Sequence, residues 1–192
     1  MLSRGIKSGL IILLGLAMTG CISMKMPEPT ATMSNLEKIR GANVVPAKTG
    51  SFKLAAGKTP SLDKSVSGLR GSSVSPHSGS FAEQLRAQLE AELKAAGLYD
   101  AQSNATISGE LIDSQVDAAI GTGTAKLSAR FIVDQANTRI YDKVLTADAS
   151  WPSSFVGAIA IPEAINQYTA LYQTLIGKLF EDQDFRQALR KK

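Results

Sequence analysis

One cysteine, one histidine and one tryptophan are all that 192 residues contain, and aromatics make up only 6%. A lone cysteine excludes a disulfide framework within the chain. A single histidine cannot supply the clustered Cys and His ligands of a zinc site. Positive charge is in short supply too, with 21 Lys and Arg against 17 Asp and Glu. Arg4 and Lys7 belong to the first twenty residues, so the remainder holds 19 cations against those 17 anions. Such a balance lacks the concentrated basic face that nucleic acid requires. The longest apolar run, Gly9 to Met18, spans ten residues, about half of what a helix needs to cross a bilayer. What remains is ordinary globular composition, 44% apolar and 20% charged. The length suits one domain with extensions.

Catalytic patterns are sparse. His77 stands in a Ser/Gly-rich loop beside Pro76, with no G-x-S-x-G nucleophile elbow to accompany it. Gly121-Thr122-Gly123-Thr124-Ala125-Lys126 lacks P-loop spacing and precedes a strand, so it is expected to be a hairpin turn. Asp113 and Asp117 lack the D-x-[DN]-x-[DN]-G frame of a calcium loop and are expected to face solvent. No enzyme activity and no cofactor is expected.

The N-terminus carries the clearest signal. Arg4 and Lys7 are followed by the ten-residue apolar run, and the small residues Thr19 and Gly20 then precede Cys21. This is the tripartite geometry of a signal peptide. Met18-Thr19-Gly20-Cys21 resembles the lipobox of bacterial lipoproteins, with Met18 standing where leucine is usual. The resemblance implies that residues 1–20 are cleaved and that Cys21 receives a diacylglyceryl group and an acylated amine. Several acyl chains hold a protein stably where one binds only reversibly. Ile22 replaces the aspartate that marks inner-membrane retention, which implies an outer-membrane, periplasm-facing position.

Beyond Cys21, residues 21–50 carry Pro27, Pro29 and Pro46 without sustained periodicity. They are expected to form a flexible tether with at most a helical turn at Asn35–Ile39 and an end-to-end distance on the order of 30 Å. Residues 51–192 are expected to form one domain. Ser51–Ala55 alternates as a first strand, and Gly57 to Gly79 is loop with a short strand at Val66–Arg70. Ser80-Phe81-Ala82-Glu83 reads as a capping box. It opens a helix whose apolar face is Phe81, Leu85, Leu89 and Leu93, with Gly97 as left-handed C-cap. Three alternating segments follow, Ala105–Asp113, Ala125–Val133 and Arg139–Trp151, which predict an antiparallel meander. Pro162 is expected at the first position of a second long helix bearing Ile165, Tyr168, Tyr172, Leu175 and Leu179. Asp182 or Asp184 then caps a short terminal helix. The predicted fold is α+β, a two-layer sandwich of a mainly antiparallel sheet with two long helices packed on one face.

Four residues stand out as ligand or partner candidates: Arg70, His77, Ser80 and Trp151. Lys58, Lys64 and Arg70 lie ahead of the helix that starts after Ser80, where free amides favour anions such as a lipid phosphate. Trp151 and Phe155, flanking Pro152, form either a binding patch or the packed end of a core strand. Over residues 50–190 the element order resembles small periplasmic lipoprotein domains, such as auxiliary lipoproteins of ABC-type envelope transporters and lipopolysaccharide-assembly lipoproteins. That resemblance implies an accessory role with an envelope protein partner. Lipid or lipopolysaccharide binding and transport is the alternative.

Overall fold

The computed structural model describes residues 23–191; Cys21 and the apolar run before it lie outside the described residues. The elements in order are β1 (Ser23–Lys25), α1 (Met33–Arg40), β2 (Lys48–Leu54), a 3-10 turn at Pro60–Asp63, β3 (Val66–Leu69), β4 (Ser72–Ser75) and α2 (Phe81–Ala96). They continue with β5 (Ala105–Asp117), β6 (Gly121–Gln135), β7 (Thr138–Ser153), α3 (Gly157–Glu181) and α4 (Gln183–Ala188). The main sheet has the order β2-β5-β6-β7, and a small sheet has the order β1-β4-β3. Helices α2 and α3 pack on one face of the main sheet. This is the expected α+β sandwich. The meander β5-β6-β7 is antiparallel, whereas β2 joins β5 in parallel.

The alternating residues of β6 explain the layering. Ala125, Leu127, Ala129, Phe131 and Val133 all point to the helices and are at most 5% exposed. A register shift at Ile112 in β5 changes which residues point inward, so Ser114 and Val116 follow Leu111 into the core. Ser114 Oγ then meets Tyr168 OH at 2.5 Å, and Tyr168 meets Tyr172 at 3.2 Å, so the buried hydroxyls satisfy one another. Phe81 and Phe131 complete this interior through edge-on contacts with Tyr168 and Phe52.

The other face of the sheet is polar. Arg130 holds Asp142 at 2.6 Å and reaches Glu110 at 3.4 Å, and Arg139 links Asp142 to Asp134 at 3.3 Å to each. Lys53 extends the ladder to β2. Exposed pairs of this kind contribute about 0–1 kcal/mol each. They keep the face wet rather than hold the fold together.

Helix α2 forms as its sequence predicts. Ser80 Oγ accepts from the Glu83 amide at 3.1 Å, and Gly97 closes the helix at φ +72°. The reciprocal half of the capping box is not formed, and a different carboxylate serves the helix start. Asp63 Oδ1 accepts from Ser80 Oγ at 3.0 Å and from the Ala82 amide at 2.8 Å, while Glu83 pairs with Arg86.

Three expectations are corrected. The tether assigned to residues 21–50 is folded from Ser23 onward: Met26, Leu36, Ile39 and Val44 are buried, and α1 is a full two-turn helix capped by Thr32. Its anchor is a stripe on α2. Gln84 Nε2 donates to the Pro27 carbonyl and Gln88 Nε2 to that of Thr30. Fully buried Glu92 accepts from the Thr32 amide, Asn35 Nδ2 and Gln88 Nε2 at 2.9–3.1 Å. Next, Gly121–Thr124 is the start of β6 rather than a turn, the turn itself falling at Ala118–Ile120. Gly123 is needed there because a Cβ would collide with the indole of Trp151 across the strand pair. Lastly, α3 starts at Gly157, with Pro162 inside it. As the sixth residue of the helix, Pro162 removes its own N–H and its ring crowds the Ala158 carbonyl, so the first turn of α3 is held by one hydrogen bond fewer.

Candidate functional site

The turn between β3 and β4 is Arg70-Gly71, with φ +53° and +89°. A two-residue hairpin turn with both residues left-handed suits glycine, and an arginine in that region is uncommon. Its side chain accounts for the choice. Arg70 Nε donates to the Ala118 carbonyl at 2.6 Å, and Nη1 donates to that of Phe155 at 2.9 Å. Nη2 donates to the Ser154 carbonyl at 2.6 Å and to Ser153 Oγ at 3.3 Å. One guanidinium therefore ties the β3–β4 turn, the β5–β6 turn and the loop from β7 into α3 into a single braced end.

That end presents apolar side chains to water. Phe155 is 79% exposed, Ile120 64%, Ile159 61% and Val156 51%. Ile120, Phe155 and Val156 stand on the two loops that Arg70 ties, and Ile159 follows in the first turn of α3. Trp151, two residues before Ser153 on β7, is by contrast 6% exposed, and its Nε1 has no hydrogen-bond partner. The suspected Trp151–Phe155 patch is thus split, with the indole packed over Gly123 and the phenyl in solvent.

The anticipated anion site ahead of α2 does not assemble. Lys64 Nζ donates to the Gly79 carbonyl, Arg70 is committed at the other loops, and Asp63 already places a carboxylate on the first amides of α2. Ser80 is occupied as cap and donor to Asp63. His77 lies apart: its amide donates to Gln84 Oε1, and it borders a depression with Glu28, Arg86, Glu90 and Lys94 that includes none of the other three candidates. Asp113 lies within 3.5 Å of Lys126, and Asp117 is exposed. Among the four candidates, the structure brings Arg70 to the end of β7 that carries Trp151.

Titration shifts follow structure rather than a poised reaction centre. Burial pushes the Tyr168 hydroxyl up to about 12 and also raises those of Tyr172 and Tyr141, so all three stay neutral. A hydrogen bond from Arg130 holds the Asp142 carboxyl below its usual range. Burial works to raise Asp182, but Lys143 and the amides of Phe185 and Asp184 outweigh it and hold it low. The surface depressions all open widely to solvent. One of them, about 940 Å³, lies at the far end of the sheet between Val45, Asn104, Thr138 and Arg190.

The residues missed from sequence are Ile120, Val156 and Ile159. A usable signal existed: residues 152–162 and 118–125 contain no charged side chain, although both flank turns.

No family model and no curated relative matches the sequence. Solved structures do overlay. A protein from Xanthomonas campestris with the family label DUF330 shares 10% identity at a TM-score of 0.53, over 83% of this chain and 95% of its own. A chain from Caulobacter crescentus shares 11% at 0.47, over 82% and 98%. A minor lipoprotein from Acinetobacter baumannii shares 17% at 0.44, over 78% and 98%. The first likeness speaks to fold alone, and the other two are too loose to add to it.

Proposed function

We propose that this chain is a bacterial lipoprotein whose domain is held at a membrane by lipid on Cys21 and serves there as a non-enzymatic accessory to an envelope protein partner. The observation that carries the anchor is the ending Met18-Thr19-Gly20-Cys21 after a charged start and a ten-residue apolar run. Ile22 in place of aspartate favours the periplasmic face of the outer membrane.

Two features favour a protein partner over carriage of a lipid. Lipid carriage needs an apolar cavity of several hundred cubic ångströms. Here the space between helices and sheet is filled by Phe81, Leu85, Leu89, Phe131, Tyr168 and Tyr172, each at most 1% exposed. In addition, β7 ends the sheet, so its outer edge pairs with no strand among the described residues. This edge is 16 residues long and carries Asp142, Lys143, Asp148 and Pro152, which oppose pairing between identical copies while leaving it open to a complementary strand.

The test of the anchor is Cys21→Ser. The variant should accumulate as a precursor that takes up no labelled fatty acid; normal processing and labelling would overturn the reading. For the partner, a photo-crosslinker at Val144 should capture one envelope protein reproducibly, and capture at an equal yield from Lys25 would remove the edge from the account.

A further inference from the structure

We infer that the Arg70-braced apolar end rests on the membrane surface itself, with Phe155, Val156, Ile159 and Ile120 entering the boundary between headgroups and acyl chains. The inference rests on lipidation at Cys21. Three observations converge on it.

The first is the surface. Four large apolar side chains, each more than half exposed, share one end. The segments bearing them, 118–125 and 152–162, are uncharged, whereas the opposite end carries Asp134, Arg139, Arg190 and Lys191. An apolar rim whose bounding charges are Asp117 and Glu163 suits the interfacial zone, where side chains bury about 5–10 Å deep. The second is where the chain starts. Strand β1 runs parallel to β4 and begins with Ser23 opposite Ser73, the second residue past the Arg70-Gly71 turn. The described chain therefore begins beside the same turn whose guanidinium holds the Phe155 and Ala118 loops. Only Ile22 separates Ser23 from Cys21, and two residues span at most about 7 Å. The acylated cysteine is thus delivered next to the apolar end, and the domain sits flush on the bilayer instead of hanging from a long leash. The third is rigidity. Arg70 fixes both loops through four acceptors, so the side chains are presented together rather than on independent, fluctuating loops.

A partner protein or a second copy could also cover such a patch. The short reach from Cys21 favours the bilayer: anchorage holds the patch at the interface at high effective concentration, so even a modest affinity is expressed.

The chain provides its own labelling handle. With the sulfur of Cys21 alkylated by lipid, an introduced cysteine is the single free thiol. Full-length lipidated protein carrying Phe155→Cys, or Thr138→Cys at the opposite end, is labelled with an environment-sensitive fluorophore in vesicles of phosphatidylethanolamine and phosphatidylglycerol. Nitroxide lipids should quench the label at 155 several-fold more than at 138, with a blue-shifted emission at 155 alone. Equal quenching at both positions, in protein whose intact mass includes the acyl chains, would overturn membrane contact while leaving the anchor standing. A blue shift at 155 that depends on protein concentration and resists nitroxide quenching would overturn it in favour of self-association. Absence of acyl mass would remove the anchor and the inference together. As a second variant, Ile120→Ser with Ile159→Ser should abolish the blue shift of the 155 label while leaving the thermal midpoint and Trp151 emission unchanged; an undiminished shift would also overturn the proposal.

Discussion

At one end of the main sheet, β6 turns into β7 through Ala136 and Asn137, both left-handed at φ +48° and +65°. The side chains around that turn are Asp134, Arg139 and the basic C-terminal residues. At the other end the chain makes two excursions, 118–120 and 154–156, and covers them with exposed apolar side chains tied down by one arginine. The first end is a surface made for water. The second keeps an apolar surface in water, and its left-handed residue, Arg70, spends its side chain on holding both excursions in place. Nothing in the core needs Phe155 or Ile159, so the contrast points outward, to something that lies against that end.

The contrast can be broken most forcefully through the strap that follows β1 and fastens the start of the described chain to α2. Glu92→Ala would strand the Thr32 amide, Asn35 and Gln88 without their acceptor in a fully buried site, with a loss of about 3 kcal/mol. Limited proteolysis should then cut between residues 26 and 40 while the β5–β7 meander stays intact. Cleavage spread evenly over the chain would show that the strap is not a separable unit. A smaller effect is expected from Arg70→Ala, about 2 kcal/mol for charge-assisted hydrogen bonds lost at a partly exposed site. Amide exchange should speed up at 118–121 and 154–157 and stay unchanged at 136–138. Equal acceleration at both ends would remove the bracing role.

The gentlest probe acts on the polar end. Asp182 caps α4 through the amides of Asp184 and Phe185 and pairs with Lys143 at 2.6 Å. Its carboxyl is held below the unfolded value of 3.8, so its contribution is fully present above that pH and is lost as pH falls through the lower folded value. Acid titration below pH 3.8 should loosen α4 before the apolar end, which has no carboxylate in 118–125 or 152–162. Simultaneous loosening of both ends would contradict this.

Legibility from sequence divides along a physical line. Helix α2 was readable because its cap, apolar spacing and C-terminal glycine are local and agree. Strand β6 was readable because alternation against a helical layer needs only its own residues. The strap was not readable. Gln84, Gln88 and Glu92, spaced by four, look like a solvated face, and their partners lie more than fifty residues earlier in the chain. The segment they hold has few apolar residues in any period, so its order comes from long-range hydrogen bonds together with the burial of Met26, Leu36, Ile39 and Val44. Gly121 and Gly123 suggested a turn because a glycine pair looks alike whether it relieves φ or admits a neighbouring ring; only Trp151 across the strand distinguishes them. Pro162 misled in the same way, since a proline in the first turns of a helix and one at its start leave the same local signature. As for the candidate site, Arg70 stood out for its charge beside a helix start. It acts instead on three carbonyls in loops far along the chain.

Everything about placement depends on the chemistry at residue 21, and intact mass of the protein extracted from envelope with detergent measures it directly. The account predicts a polypeptide beginning at Cys21 with the added mass of a diacylglyceryl group and an amide-linked acyl chain. A polypeptide that retains residues 1–20, or that begins elsewhere without acyl mass, would contradict it.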